Sequence, residues 1–257
     1  YAFEASSHAL EQDRIKNFPI NIAAFTNISH DHLDYHKNLG NYKNAKYKLF
    51  TEHLNNKGYA ILNDNITNIK SLRKKISKKV NIITYGKINS DISFIKKNKQ
   101  ILFKYFNKKY SLKDIKNNKF ELENILCAIA CCFCLNVKIK DIIKVLKKLN
   151  NPPGRLENVI NNKKFKILVD YAHTPDALKQ ILFNQTYNKI KPNILFGCGG
   201  NRDKIKRSEM GSIANKYANR VYITDDNPRD ENPINIRKDI LSKCKKGIEV
   251  PGRKKAI

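Results

Sequence analysis

FKILVDYAHTPDALKQILF (residues 165–183) passes directly from an apolar strand pattern into a helical one, and the same change recurs twice. NILFGCGG (193–200) leads to a helical stretch over 207–217, and VYITDD (221–226) leads to INIRKDILSKC (234–244). Strands alternating with helices build βαβ units, so this half of the chain predicts an α/β domain on a parallel, doubly wound, Rossmann-like sheet. Ligands of such sheets sit beyond the carboxyl ends of the strands. The polar signals fall there: Asp170 to His173, then residues 197–202, then residues 225–229. Each also has a plain reading. DYAHTP is a strand end followed by a helix cap with proline after it. GCGGNRDK is a Gly-rich turn that lets a ligand approach the backbone, although it is neither a Walker loop nor a dinucleotide fingerprint. DDNPR can be no more than a turn.

Immediately upstream, NPPGR (151–155) interrupts every periodic pattern. Two prolines and a glycine after a helix mark a linker, which divides the chain into domains 1–151 and 152–257. In the first of these, GYAILND (58–64), NIITYG (81–86), ISFI (92–95) and ILFKYF (101–106) read as short strands, the last two joined by a turn at KKNKQ. A helix around residues 124–135 and a second, IKDIIKVLKKLN (139–150), close that domain. Residues 1–14 read as a strand end turning into a helix, with Ser6 or Ser7 as its cap.

The remaining stretch is FTNISHDHLDYHKNLGNYKNAK (25–46). From residue 41 to 54, Tyr42, Ala45, Leu49 and Phe50 recur at helical spacing, and Lys46 lies on the same face, one turn from Tyr42 and from Phe50. An ammonium there either snorkels at the edge of the stripe or must be paired, neutralised or chemically modified. Ahead of it, Asp31, His32 and Asp34, with His30 and His36 nearby, make either a solvated loop or donors for a divalent cation.

The chain has 257 residues and a formal charge of +27. Such a charge suggests nucleic acid or an anionic surface. However, the lysines are spread evenly among Asn and Ile, with no Arg-rich stripe and no nucleic-acid-binding motif, so no specific nucleic-acid partner is expected. With no signal peptide pattern and no long apolar run, neither a membrane span nor a membrane partner is expected. Cys127, Cys131 and Cys134 share a helix face beside Cys132, without a second pair at zinc spacing. They read as small core residues in a reducing, cytoplasmic compartment.

Taken together and in order, TNISHDHLDYH, YKNAK, DYAHTP, GCGGNRD and DNPR resemble the Mur ligases, and within them the branch that adds the third amino acid of the peptidoglycan precursor. The resemblance covers nearly the whole chain. It implies the remainder of a central ATP-binding domain followed by the Rossmann-like ligase domain. The activity implied is an ATP-dependent amide ligation of meso-diaminopimelate to UDP-MurNAc-L-Ala-D-Glu through an acyl phosphate, by a monomer. Lys46 matches the family's carbamylated lysine. With Glu4, in EASSH (4–8), and His32 it would hold Mg²⁺, and carbamylation would turn a misplaced cation into an oxygen ligand for that hard ion. Ser6, Gln12 and Arg14 match contacts to the UDP-MurNAc-dipeptide. Asn124, Arg155, Asp170 and His173 would face ATP. Asp226, Asn227, Pro228 and Arg229, with Arg202 as a second cation, would bind meso-diaminopimelate; the plain alternative for Arg229 is a surface pair with Asp226 or Asp230.

Two departures accompany the match. The usual FNxxN reads FELEN (120–124), so Glu121 stands where the family has an adenine-side Asn and ATP affinity is expected to fall. The chain also begins mid-pattern at YAFEASSH and ends after PGRKKAI, which reads as a fragment without the GKT-type phosphate loop or the end of the amino-acid pocket. Alternatives are a folylpolyglutamate synthetase-like ligase, which lacks DNPR, and a basic, noncatalytic relic.

Overall fold

The computed structural model describes the chain except residues 30, 98–99, 113–118, 147, 150–151, 161, 163–164 and 188; side chains are also left undescribed at 95–97, 100–102, 111–112 and 119–121. His30 and the centre of the KKNKQ turn therefore lie outside the described residues, as does the Glu121 side chain. The polypeptide forms two compact units, Tyr1–Ile28 with Gly40–Asn150 and Ser29–Leu39 with Asn151–Ile257.

The first unit begins with α1 (Ser7–Glu11), capped by Ser6, whose hydroxyl accepts the Ala9 amide at 3.1 Å. No strand precedes it: residues 1–6 are irregular. Strand β1 (Ile20–Phe25) follows, and α2 (Leu33–His36) belongs to the second unit. Next come α3 (Leu39–Lys48), β2 (Leu54–Asn63), α4 (Ile69–Lys75), β3 (Asn81–Tyr85), β4 (Ile92–Lys97), β5 (Gln100–Tyr105), β6 (Lys108–Leu112), α5 (Lys119–Cys134) and α6 (Ile139–Leu146). The sheet order is β1-β2-β3-β4-β5-β6, parallel through β4 and then an antiparallel meander, with Ala23 opposite Ala60 and Phe25 opposite Leu62. Side chains of β2 alternate between two cores: Ala60 and Leu62 pack with Phe25, Tyr47, Phe50 and Leu72, whereas Ile61 packs with Tyr85, Phe103, Leu126 and Ile129. Both faces of the parallel part are thus covered, which explains its apolar run. Each of the large aliphatic side chains and phenylalanines among them, when fully buried, contributes about 1.5 to 3 kcal/mol.

The expected helix over 41–54 is α3 followed by a π-helical turn, Leu49–His53. The wider turn shifts the phase. Tyr42, Ala45 and Phe50 are buried as expected, Tyr47 is buried as well, and Leu49 is half-exposed. The cysteine face lies on α5: Cys127 is buried, Cys131, Cys132 and Cys134 are half-buried, and all six cysteines of the chain are unpaired.

The second unit contains α2, the hairpin of β7 (Glu157–Val159) and β8 (Ile167–Val169), then α7 (Pro175–Asn184), β9 (Ile194–Phe196), α8 (Ile205–Tyr217), β10 (Val221–Ile223), α9 (Pro233–Leu241), β11 (Gly247–Glu249) and α10 (Arg253–Ala256). Its parallel sheet is β11-β10-β9. The strand expected at 165–172 shortens to β8 and pairs antiparallel with β7 instead of joining that sheet. An isolated apolar triplet does not encode its neighbour, and Ile167 and Val169 remain exposed. Thr174 caps α7 ahead of Pro175, and Asn232 caps α9 ahead of Pro233. Leu178, Phe196, Met210, Ala214, Val221, Ile223 and Ile240 form the core. Across α8 and α9, a Cβ on Gly211 would overlap the Ile240 carbonyl, so these helices meet backbone to backbone.

Candidate functional site

In the second unit, β9 opens into the Gly-rich loop 197–202 and β10 into the turn 225–231, at the carboxyl edge of the sheet. The two are interlocked. The Gly200 amide donates to the Asn227 carbonyl at 2.8 Å, and Arg229 Nη1 donates to the Gly200 carbonyl at 2.8 Å. Gly200 is required there: a Cβ would lie 2.6 Å from the Pro228 carbonyl carbon and nearer still to its oxygen. Arg229 itself adopts φ +50°, and Asn227 Oδ1 accepts its amide at 3.3 Å. A Cβ on Gly199 would come within 2.8 Å of Arg229 Nη1 and 3.9 Å of Arg202 Cγ, so both guanidinium-bearing side chains flank one stretch of half-buried backbone. Arg202, Asp226, Asn227 and Arg229 are exposed and Pro228 is half-buried. Asp226 sits 3.8 Å from Arg253 Nη2, and Asp230 accepts from Asn201 at 2.8 Å. Among the described residues Arg229 therefore makes no carboxylate pair, unlike the surface-pair alternative. Two cations flanking a Gly-rich loop can fork a carboxylate of a ligand.

Behind this surface lies a buried cation that the sequence reading missed. Arg207, 1% exposed, donates through Nη1 to Glu231 at 3.0 Å and Asp239 at 3.0 Å, and through Nη2 to Glu231 at 2.9 Å and the Gly199 carbonyl at 3.2 Å. The Arg207 hydrogen bonds bring the Glu231 carboxyl down to about 2 against the cost of burial, with help from the Asn201 amide. Asp225 serves structure: it pairs with Arg237 and accepts the Gly252 amide at 2.7 Å.

A second group forms in the same unit around Asp31. Its oxygens lie 3.5 Å from Lys206 Nζ and 3.6 Å from both His173 Nε2 and His32 Nε2. Burial alone would raise the Asp31 carboxyl, but His173, Lys206 and His32 outweigh it and hold it far below the usual carboxylate range. The same Asp31 carboxylate raises His173 above the ordinary imidazole range, against burial. His32, half-buried, precedes α2 at φ +56°. Nearby, Asp170 accepts the Leu156 amide at 2.9 Å and the Ala172 amide at 2.8 Å, while the exposed Arg155 guanidinium stands 4.8 Å above the Tyr171 ring. Lys206 had one signal available: it opens α8 beside Arg207, and Arg207, Met210, Gly211 and Ala214 form a buried stripe at helical spacing.

In the first unit, Glu4, Ser6, Gln12 and Arg14 are exposed around α1, with Ser6 spent partly on its cap. Lys46 is half-buried, its Nζ 5.2 Å from the Tyr42 ring centre. Asn124 is exposed on α5. Its neighbour Glu123 instead joins two asparagines at the end of β2 and in the turn after it, accepting from buried Asn63 at 3.2 Å and from Asn65 at 3.0 Å. Among the described residues no three or more His, Cys, Asp or Glu gather as a metal site, and no helix is long and apolar enough to cross a membrane.

Comparison with known proteins places this geometry in context. Residues 1–132 match the model of the Mur ligase middle domain, and residues 154–257 match that of the Mur ligase glutamate ligase domain. A UDP-N-acetylmuramoyl-L-alanyl-D-glutamate–2,6-diaminopimelate ligase of Rickettsia rickettsii is 41% identical over 99% of this chain and 55% of its own length. The protein of the same name from Anaplasma marginale is 38% identical over 99% of this chain and 54% of its own. The chain thus spans about half the length of the curated relatives it matches. A solved structure of a ligase of that name aligns with TM-score 0.59 and 30% identity over 98% of this chain and 54% of that one. A MurF ligase from Thermotoga maritima in complex with ADP aligns with TM-score 0.66 at 19% identity, over 96% of this chain and 56% of that one, a likeness of fold alone.

Proposed function

The chain belongs to the Mur ligase family, and from that premise we propose that it serves the ATP-dependent ligation of meso-diaminopimelate to UDP-MurNAc-L-Ala-D-Glu. The observation that carries this reading is 41% identity, across 99% of the chain, to a relative named for that reaction. Residues 1–151 would act as the central domain and 152–257 as the ligase domain. ATP would phosphorylate the D-Glu side-chain carboxylate, releasing ADP. The amine of the incoming amino acid would then attack the acyl carbon and expel phosphate, forming the amide. Such chemistry depends on positioning and charge neutralisation rather than on a protein nucleophile.

Asn124, Arg155, Asp170 and His173 are assigned to the nucleotide, and Ser6, Gln12 and Arg14 to the UDP-sugar peptide. Asp170 does so indirectly: both of its oxygens are occupied by backbone amides, which hold Leu156 and Ala172 in place. For Mg²⁺, Glu4, His32 and Lys46 are assigned from the family match: a carboxylate, an imidazole and, if Lys46 is carbamylated, a carbamate are donor types that fit a hard cation. When bound, the ion would offset phosphate charge. Arg229 and Arg202, with Asp226, Asn227 and Pro228 shaping the turn, are assigned to diaminopimelate, which differs from L-lysine by one far carboxylate. A site built around a charge rejects the analogue lacking its partner far more strongly than an apolar pocket does.

The test is a competition between meso-diaminopimelate and L-lysine, with UDP-MurNAc-L-Ala-D-Glu and ATP, in wild type and Arg229→Ala. Wild type should prefer diaminopimelate by at least about a hundredfold, and Arg229→Ala should erase most of that preference. Equal use of the two by wild type, or an unchanged ratio in the variant, would refute the assignment.

A further inference from the structure

We propose that Arg207 is a positioning residue for the amino-acid substrate: from the buried side of the sheet edge it fixes the 225–231 turn to the 197–202 loop and so aims Arg229. This rests on the diaminopimelate reading above. Four observations carry it. The Arg207 guanidinium joins both segments directly, through Glu231 of the turn and the Gly199 carbonyl of the loop. Glu231 passes the connection on, since its Oε1 also accepts the Asn201 amide at 2.6 Å and its Oε2 lies 3.6 Å from Lys204 Nζ. Asp239 adds an anchor to α9 at 3.0 Å. Finally, the exposed Arg229 depends on the same pair of segments, because the Gly200 carbonyl that orients it belongs to the loop.

An ordinary buried ion pair would need only one carboxylate. Here a planar fork meets two carboxylates and a carbonyl, a geometry that fixes angles as well as distances and that a lysine cannot reproduce. Arg207 lies one layer behind the ligand-facing surface and touches no substrate in this account, so its effect is transmitted through Glu231, Gly199 and Gly200 to Arg229. A shift of about 1 Å in a substrate-positioning group can cost about a hundredfold in rate.

Two variants test this in the full-length ligase: Arg207→Lys, which keeps the charge and loses the fork, and the double variant Arg207→Met/Glu231→Gln, which removes the guanidinium with its more buried carboxylate partner, leaves only the partly exposed Asp239 charged, and guards against simple unfolding. Both should raise KM for meso-diaminopimelate by about tenfold or more and reduce the diaminopimelate-to-lysine preference, while KM for ATP stays within about twofold. If KM for both substrates moves together, or if only thermal stability falls while the preference is kept, Arg207 is merely structural and the inference fails. A wild type that does not use diaminopimelate overturns the functional reading and this inference with it; a wild type that does, paired with unaltered variants, overturns this inference alone.

Discussion

Gly200→Ala places a methyl group where the Pro228 carbonyl already is. The Cβ would stand 2.6 Å from the carbonyl carbon, 3.2 Å from Glu231 Cβ, and within overlap of the Pro228 oxygen. The clash is with backbone, so no rotamer change relieves it and the loop and turn must separate. Overpacking of this kind costs about 1 to 3 kcal/mol. Separation also breaks the Gly200–Asn227 hydrogen bond and the charge-assisted bond from Arg229 to the Gly200 carbonyl. Net, these contribute about 1 kcal/mol and about 1.5 to 3 kcal/mol respectively. The total, about 3.5 to 7 kcal/mol, is a large part of the stability of an ordinary domain. Thermal unfolding followed by far-UV circular dichroism should show the second unit melting more than about 12 °C lower. A variant within about 0.5 kcal/mol of wild type in urea unfolding, with its diaminopimelate preference intact, would show that the interlocked segments neither hold the unit together nor orient Arg229.

Two further outcomes are expected. Lys46→Arg should abolish ligase activity, because arginine takes up no CO₂ to become an anionic ligand, whereas Lys46→Ala should be partly rescued by high bicarbonate; near-normal activity of Lys46→Arg would leave an ordinary half-buried lysine packed on Tyr42. Glu231 should make stability depend on acid: its folded carboxyl titrates at about 2 against an ordinary 4.5, so its contribution is present above pH 4.5 and is lost as pH falls toward about 2. Chemical denaturation at pH 6 and pH 3 should show a smaller pH dependence for Glu231→Gln than for wild type, and an equal slope would contradict the Arg207 pairing.

The parts of the fold legible in the sequence were those with local periodicity and punctuation. Thr174-Pro175 announces α7, the pattern of 234–244 announces α9 without its Asn232 cap, and the Gly-rich and DNPR segments mark the carboxyl ends of β9 and β10. Three-residue strands such as β7 and β11 are too short to show alternation, and β8 looked like a sheet member only because its apolar triplet does not encode its partner. The π turn after α3 was hidden for another reason: one wide turn alters the phase of a helix without altering its composition. At the site, Arg229, Arg202 and the glycines were visible as motifs. Arg207 carried the same signal as Lys46, a cation in an apolar helical stripe, and was passed over. Its carboxylate partners stand 24 and 32 residues away, a separation no local pattern records.

The Arg207–Glu231–Asp239 group, built on a buried guanidinium, also limits which substitutions residue 207 can accept. The chain carries 50 lysines and arginines, most of them lysines interleaved with polar residues. At residue 207 an Arg-to-Lys exchange forfeits the fork, and removing the guanidinium altogether takes from Glu231 its buried partner, whereas the 44% exposed Asp239 can turn to water. Exchange at Arg207 is therefore coupled to Glu231 and, more weakly, to Asp239.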